Sequence, residues 1–205
     1  MDRSCHEQID RVAIDDVIVR ERAARDEGVW SDMAALYHPD SSIDISWFKG
    51  TGAQFALATE KMSAGPLYTF HHMGAAVITI EGDRALADSN CTVHAFTSLG
   101  GVDVDLISYV RLQWRVQRIG ARWLVAGLRA LYIRDVLAPV NPQQVPQLED
   151  KLLAGLRPSY RFIAYLTSKA GHVVRDDLPG VDKPETVAAL RAAELRWLQQ
   201  NKRAK

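Results

Sequence analysis

The sequence predicts an α+β domain, and three observations carry that reading. Helical periodicity is confined to the start of the chain and to its C-terminal stretch. Four long strand-like runs follow one another in between. The breaks between those runs are short, rich in glycine and of hairpin length.

Residues 7–25 carry Ile9, Val12, Ala13, Val17 and Ala24 at helical spacing with charges between them. Asp26-Glu27-Gly28 breaks that helix. Residues 30–37 form a shorter one, with Trp30, Met33, Ala34 and Tyr37 on one side. His38-Pro39-Asp40 ends it, since proline cannot donate to the helical ladder and restrains the residue before it. Residues 42–48 alternate as a strand, Lys49-Gly50-Thr51-Gly52 is a turn, and residues 53–63 form a third helix with Phe55, Ala58 and Met62 inward.

The strand runs then cover residues 69–80, 84–97, 102–117 and 122–133. Gly82-Asp83 suits a tight hairpin, because glycine takes a positive φ at little cost. In the run 102–117, Val102, Val104, Leu106, Val110, Leu112, Trp114 and Val116 share a face opposite Asp103, Asp105, Arg111, Arg115 and Gln117, so much of the sheet has one wet side. The last run is apolar on both faces. One face is expected under the helices and the other under a second subunit, which makes a homo-oligomer, dimer or trimer, the expectation. Beyond Arg134 no strand pattern remains. Pro139, Pro142 and Pro146 mark an extended link, and residues 147–156, 160–169 and 184–200 read as helices. The organisation is therefore a domain over residues 1–135 and a helical extension over 136–205 packed on it.

Composition narrows the function classes. Across 205 residues, 25 Lys+Arg balance 25 Asp+Glu. That lacks the electrostatic footprint of nucleic-acid binding. No run is long and apolar enough for a bilayer, and the opening Met-Asp-Arg-Ser-Cys-His-Glu has no apolar leader core, so a cytoplasmic protein is the expectation. Cys5 and Cys91 form neither a disulfide framework nor a metal pattern, and Cys91 reads as a buried reduced thiol. His71, His72 and His94 have no carboxylate at ligand spacing, so no metal is expected. No glycine pattern for a nucleotide, dinucleotide or flavin occurs, so no cofactor is expected either.

The order of several short motifs is informative. After the first helix come Asp26-Glu27-Gly28-Val29-Trp30, Ala35-Leu36-Tyr37-His38-Pro39-Asp40, Ile43-Asp44 and Gly50. His72-Met73-Gly74, Gly82-Asp83-Arg84-Ala85 and Arg122-Trp123 follow. Over about residues 5 to 135 this order resembles the SnoaL-like branch of the nuclear-transport-factor-2-like superfamily. That group includes scytalone dehydratase, hexachlorocyclohexane dehydrochlorinase, ketosteroid isomerase and polyketide cyclases. The resemblance implies a cone-shaped curved antiparallel sheet closed by three N-terminal helices, with a mostly apolar pocket at the wide end.

In the lyase members an aspartate after the first helix and a histidine on the strand after the third form a dyad, and the resemblance carries these roles to Asp26 and His72. Strand alternation lets only one of His71 and His72 face the cavity, and His71 is then structural or at the rim. His94 matches a second pocket histidine. An arginine of the dehydrochlorinase-like members falls at Leu128 here, with Arg129 next to it. Either a bulge restores Arg129 to the pocket or the arginine function is missing.

The chemistry is consistent with these positions. Imidazole has an ordinary pKa of about 6.5, which suits a general base near neutral pH. A carboxylate on its other ring nitrogen fixes the tautomer. Tyr37 could protonate a leaving group or simply pack at a helix end, and Trp47 could wall the pocket. Asn90 could anchor substrate if its strand face lines the cavity, and otherwise is solvated. Arg129 could bind substrate or form a structural salt bridge. The resulting expectation is a cofactor-independent lyase or dehydratase, or a proton-shuttling isomerase, acting on a small apolar, aromatic or polycyclic molecule. The alternative is a non-catalytic ligand-binding or assembly subunit.

Overall fold

The computed structural model describes residues 3–65 and 67–200, with side chains from residue 5 onward. Met1 and Asp2, part of the opening stretch read for a leader, lie outside them. The elements are α1 (Arg3–Glu27), α2 (Trp30–Ala35), β1 (Tyr37–Asp44), β2 (Lys49–Gly50), α3 (Gly52–Ser63), β3 (Tyr68–Glu81), β4 (Arg84–Leu99), β5 (Val102–Ile119) and β6 (Arg122–Pro139). They are followed by α4 (Asp150–Ala154), a 3₁₀ turn (Pro158–Tyr160), α5 (Arg161–Lys169) and α6 (Pro184–Gln199).

The six strands form one sheet in the order β2-β1-β6-β5-β4-β3. Strands β3 to β6 are joined as successive antiparallel hairpins. The first hairpin turns at Gly82 with φ of 60°. Strand β1 pairs with β6 in parallel, so the sheet is mixed at that edge.

The stretch Tyr37-His38-Pro39-Asp40 belongs to this strand rather than to a helix end. Pairing with β6 is interrupted between Tyr37 and Ser42, and there a proline without an N–H is tolerated. Three N-terminal helices pack on the inner face of the sheet. Helix α3 is started by a capping box, with Thr51 Oγ1 accepting from Gln54 N–H and the Gln54 side chain accepting from Thr51 N–H.

The inward face of α1 differs from the sequence reading. Ile9 and Val12 are exposed, while Ile14, Val17 and Ile18 are buried. Continued at helical spacing, this stripe runs into Glu21, Arg22 and Arg25, all buried.

Part of the outer face is covered from within the same chain by α6, while Phe70, Val77, Phe96 and Tyr109 on it are exposed. Leu190, Glu194 and Leu198 of α6 are buried. Glu194 accepts from Arg115 Nε at 2.6 Å and from Arg115 Nη2 at 3.1 Å. Arg84 Nη1 donates to the Trp197 carbonyl at 2.7 Å. The apolar outer residues of β6 that prompted the expectation of a second subunit, Leu124 and Leu131, are buried in the single chain.

The segment before α6 is pinned by Arg157. Its guanidinium makes a two-pronged contact with Asp182, at 3.0 and 2.6 Å, and donates to the Asp176 and Leu178 carbonyls at 2.7 Å each. That seats 179–181 against β6, where Tyr132 N–H donates to the Pro179 carbonyl and Val181 N–H to the Tyr132 carbonyl. Removing the fork by Arg157→Met should lower unfolding stability by about 1.5–3 kcal/mol, the range for hydrogen bonds to charged groups. Denaturant titration checks the loss, and faster amide exchange at Val181 locates it.

Candidate functional site

Between the sheet, the N-terminal helices and α5 lies a cavity of about 490 Å³. Its walls are largely apolar, with Val93, Ala95, Val110, Leu112, Leu128 and Ala130 from the sheet and Ile163 and Leu166 from α5. Arg22, Arg25 and His71 are grouped on its wall, and Tyr132, Lys169 and His172 also border it. An apolar pocket with a small set of converging polar groups is the usual form of a small-molecule site.

Asp26 and His71 meet there. Asp26 Oδ2 accepts the His71 backbone N–H at 2.9 Å, and Oδ1 lies 2.7 Å from His71 Nδ1. The carboxylate therefore holds the imidazole by its backbone and its ring together. This places the proton on Nδ1 and leaves Nε2 as the free base. The His71 side chain is only 5 % exposed.

His72, the residue selected from the sequence, is exposed on the other side of β3. The reason is a bulge. Met73 pairs with Cys91 and Ala76 with Ser89, so β3 carries one residue more than β4 across that step. Beyond it Ala76, Ile78 and Ile80 point inward; before it Met73 and His71 do. Alternation counted back from Ile80 without the bulge would turn His72 inward.

The remaining expected residues divide clearly. Trp47 lines the cavity. Tyr37 lies behind it, buried, and donates to Glu21 Oε1 at 2.5 Å. Asn90 and His94 sit on the outer face of β4, where even-numbered residues point away from the buried Ala85, Ala87, Cys91 and Ala95. Asn90 is exposed, and His94 is flanked by Phe70 and Phe96 with its Nδ1 3.4 Å from Asp105. Arg129 is outside as well, donating to the Ser42 carbonyl at 2.6 Å and to Ser42 Oγ at 3.1 Å. A bulge is present in β6, where Gly127 pairs with Arg115 but Val125 pairs with Val116. It turns Leu128 into the cavity and Arg129 out. Cys91 is a buried free thiol, pushed by burial up to about 11.

Two residues that sequence reasoning passed over dominate the site's electrostatics. Arg22 and Arg25 have side chains 6 % and 4 % exposed. Arg25 Nη1 lies 3.2 Å from His71 Nδ1 and 3.4 Å from Nε2, against the ring rather than in line with one nitrogen, and Arg22 Nη1 lies 3.4 Å from Nε2. Burial, then Arg22, brings Arg25 down to about 10. Arg22 Nη2 is 3.0 Å from Glu21 Oε2, close enough for an ion pair but without hydrogen-bond alignment. The signal was the register of α1, since positions 14, 18, 22 and 25 share its inward face. Tyr132 was also unmarked; its hydroxyl accepts from Ser46 N–H at 2.8 Å, and burial pushes it up to about 12, so it keeps its proton.

Burial, reinforced by Arg25 and Arg22, holds His71 well below its ordinary 6.5. Burial raises Asp26 against the opposing pull of Arg25, the His71 N–H and Arg22. As pH falls below 6.5 the unfolded chain takes up a proton that native His71 refuses, so this group's contribution to stability is full above that pH and lost below it. Among the described residues no three His, Cys, Asp or Glu side chains are grouped as metal ligands, and no helix is long and apolar enough to cross a membrane.

A family model of the SnoaL-like domain matches residues 7–129. Pea pathogenicity protein 2 of Fusarium vanettenii is 27% identical over 199 residues, covering 92% of this chain and 85% of that protein. Among solved structures, a hexachlorocyclohexane dehydrochlorinase superposes with a TM-score of 0.58 at 13% identity, over 72% of this chain and 98% of its own. A Novosphingobium aromaticivorans protein provisionally assigned as a scytalone dehydratase gives 0.56 at 17% identity, over 65% of this chain and 90% of its own. At such identities these two likenesses concern the fold.

The site geometry makes a direct prediction. In ¹⁵N-edited NMR at pH 6.5 the His71 ring should be neutral with its proton on Nδ1, and Asp26→Asn should disturb that tautomer.

Proposed function

Since the chain belongs to the SnoaL-like domain family, we propose that it is a cofactor-independent lyase acting on a small, largely apolar molecule. His71 Nε2 takes a proton from a carbon of the substrate. Asp26 keeps the ring in the tautomer that leaves Nε2 free and stabilises the imidazolium that forms. The single observation carrying this reading is the two-point hold of Asp26 on His71 at the wall of an apolar cavity. The depressed basicity of His71 favours its neutral, proton-accepting form at neutral pH. Departure of a hydroxide or halide from the carbon next to the carbanion completes the elimination, and the Tyr132 hydroxyl, which also borders the cavity, protonates or holds the leaving group. Trp47 and the sheet residues exclude water around the reacting carbon.

A binding-only role is the second reading, and one observation favours it. The two guanidiniums against the His71 ring weaken it as a base.

Turnover decides between them. Intact protein is incubated with a panel of β-hydroxy ketones of one to three rings, and loss of water is followed by mass spectrometry. His71→Ala and Asp26→Asn should each lower turnover by about 10²–10⁴-fold, and the double variant should cost little more than the worse single one. His72→Ala should behave as wild type. Ligands that bind with no turnover in wild type, or a folded His71→Ala protein that remains active, would sink the lyase reading.

A further inference from the structure

The two buried arginines are not explained by folding alone. Arg22 Nε and Arg25 Nε are buried and find no hydrogen-bond acceptor among the described residues, and Arg22 Nη2 has only the misaligned Glu21 Oε2 at 3.0 Å. The bonds that Arg25 Nη1 does make, to Asp26, Thr69 and His71, are all between 3.2 and 3.4 Å. A buried donor left unpaired is costly, and a guanidinium the more so. Both side chains line the cavity beside His71. We infer that Arg22 and Arg25 form an oxyanion-binding site, and that the ligand presents a phenolic or enolic oxygen conjugated to its apolar body. The inference rests on the cavity being a ligand site as proposed above.

Charge balance selects this chemistry over a permanent carboxylate. Arg22 and Arg25 already face Glu21 and Asp26, two cations against two carboxylates. A carboxylate ligand would add an uncompensated buried charge, which is expensive. A neutral phenol or enol adds none. As its O–H bond breaks, the proton passes to His71 Nε2 and the electron pair stays on the ligand oxygen. An imidazolium and an oxyanion then form together, the first held by Asp26 and the second by the arginines. For an enolisable ketone the same two groups serve when the proton leaves carbon and the charge moves to the carbonyl oxygen. Guanidinium N–H groups preorganised at the point where charge develops act most strongly in a site that excludes water.

The test uses intact protein and 4-nitrophenol, whose phenolate absorbs in the visible, at a pH where the free phenol is mostly un-ionised. Binding should produce the phenolate band. Nitrobenzene, the same ring without the acidic oxygen, should bind about tenfold or more weakly, as expected for lost hydrogen bonds to charged groups. Arg22→Gln and Arg25→Gln should each weaken the band's titration by about ten- to hundredfold, while His71→Ala should lose the band and still bind the neutral phenol. No band in wild type, equal affinity for nitrobenzene, or an unchanged band in the folded arginine variants would overturn the assignment. Should either variant fail to fold, the comparison with nitrobenzene in wild type decides alone. The band without turnover of any substrate would uphold the arginine site and defeat the lyase reading. Turnover with no preference for nitrophenol over nitrobenzene would do the reverse.

Discussion

The carboxylate of Asp26 is the constraint on which the site depends. It lies in the last turn of α1, where a negative charge is disfavoured by the helix dipole. Arg25 beside it and the two N–H groups of His71 offset that cost. Because it grips the backbone N–H and the ring of one residue, it fixes both the position of β3 against the helix end and the direction His71 faces. The bulge after Met73 follows from the same constraint. The hairpin end of β3 must bury Ala76, Ile78 and Ile80 while the other end must present His71, and an uninterrupted strand cannot do both.

The charged stretch of α1 is a poor way to stabilise a helix against a sheet. Buried ion pairs contribute little to stability, and apolar residues of similar volume often do better. Ile14, Val17 and Ile18 show that the same stripe can be apolar a turn earlier. The switch to Glu21, Arg22 and Arg25 occurs where the stripe reaches the cavity. Tyr37 holds Glu21 from behind, and the Arg22 guanidinium lies 5.3 Å from the Trp114 ring, a cation–π arrangement that partly replaces lost hydration. Expensive groups with shifted ionisation gathered at one wall of an apolar cavity point to function rather than to folding.

Much of the fold was legible because it rests on local signals. The glycine turns at Gly82, Gly100 and Gly120 and the alternation of Val104 to Val116 determine the hairpins, and the SnoaL-like motifs supplied the curvature. What stayed hidden depends on long-range pairing. Pro39 reads as a stop, yet it sits in a strand whose parallel partner is far away in sequence. The choice between His71 and His72, and between Leu128 and Arg129, turns on bulges that leave no mark in residue type. Arg22 and Arg25 were visible in principle, since they continue the register of Ile14 and Ile18. Their charge assigned them to solvent before the register could place them inside.

The C-terminal extension changes what the sheet needs from its surroundings. Helix α5 closes the cavity with Ile163 and Leu166, and its first N–H groups are satisfied by Asp135 of β6, which burial pushes up to about 6 while the Ile163 and Phe162 N–H groups pull it down. A tertiary carboxylate thus replaces the missing local cap of that helix. Helix α6 packs on β3 and β4 and is tied to β5 by the Glu194–Arg115 fork. Residues from α1 to just beyond α5 line the cavity. The Asp135 contact that seats α5 on β6 lies outside the residues matched by the family model.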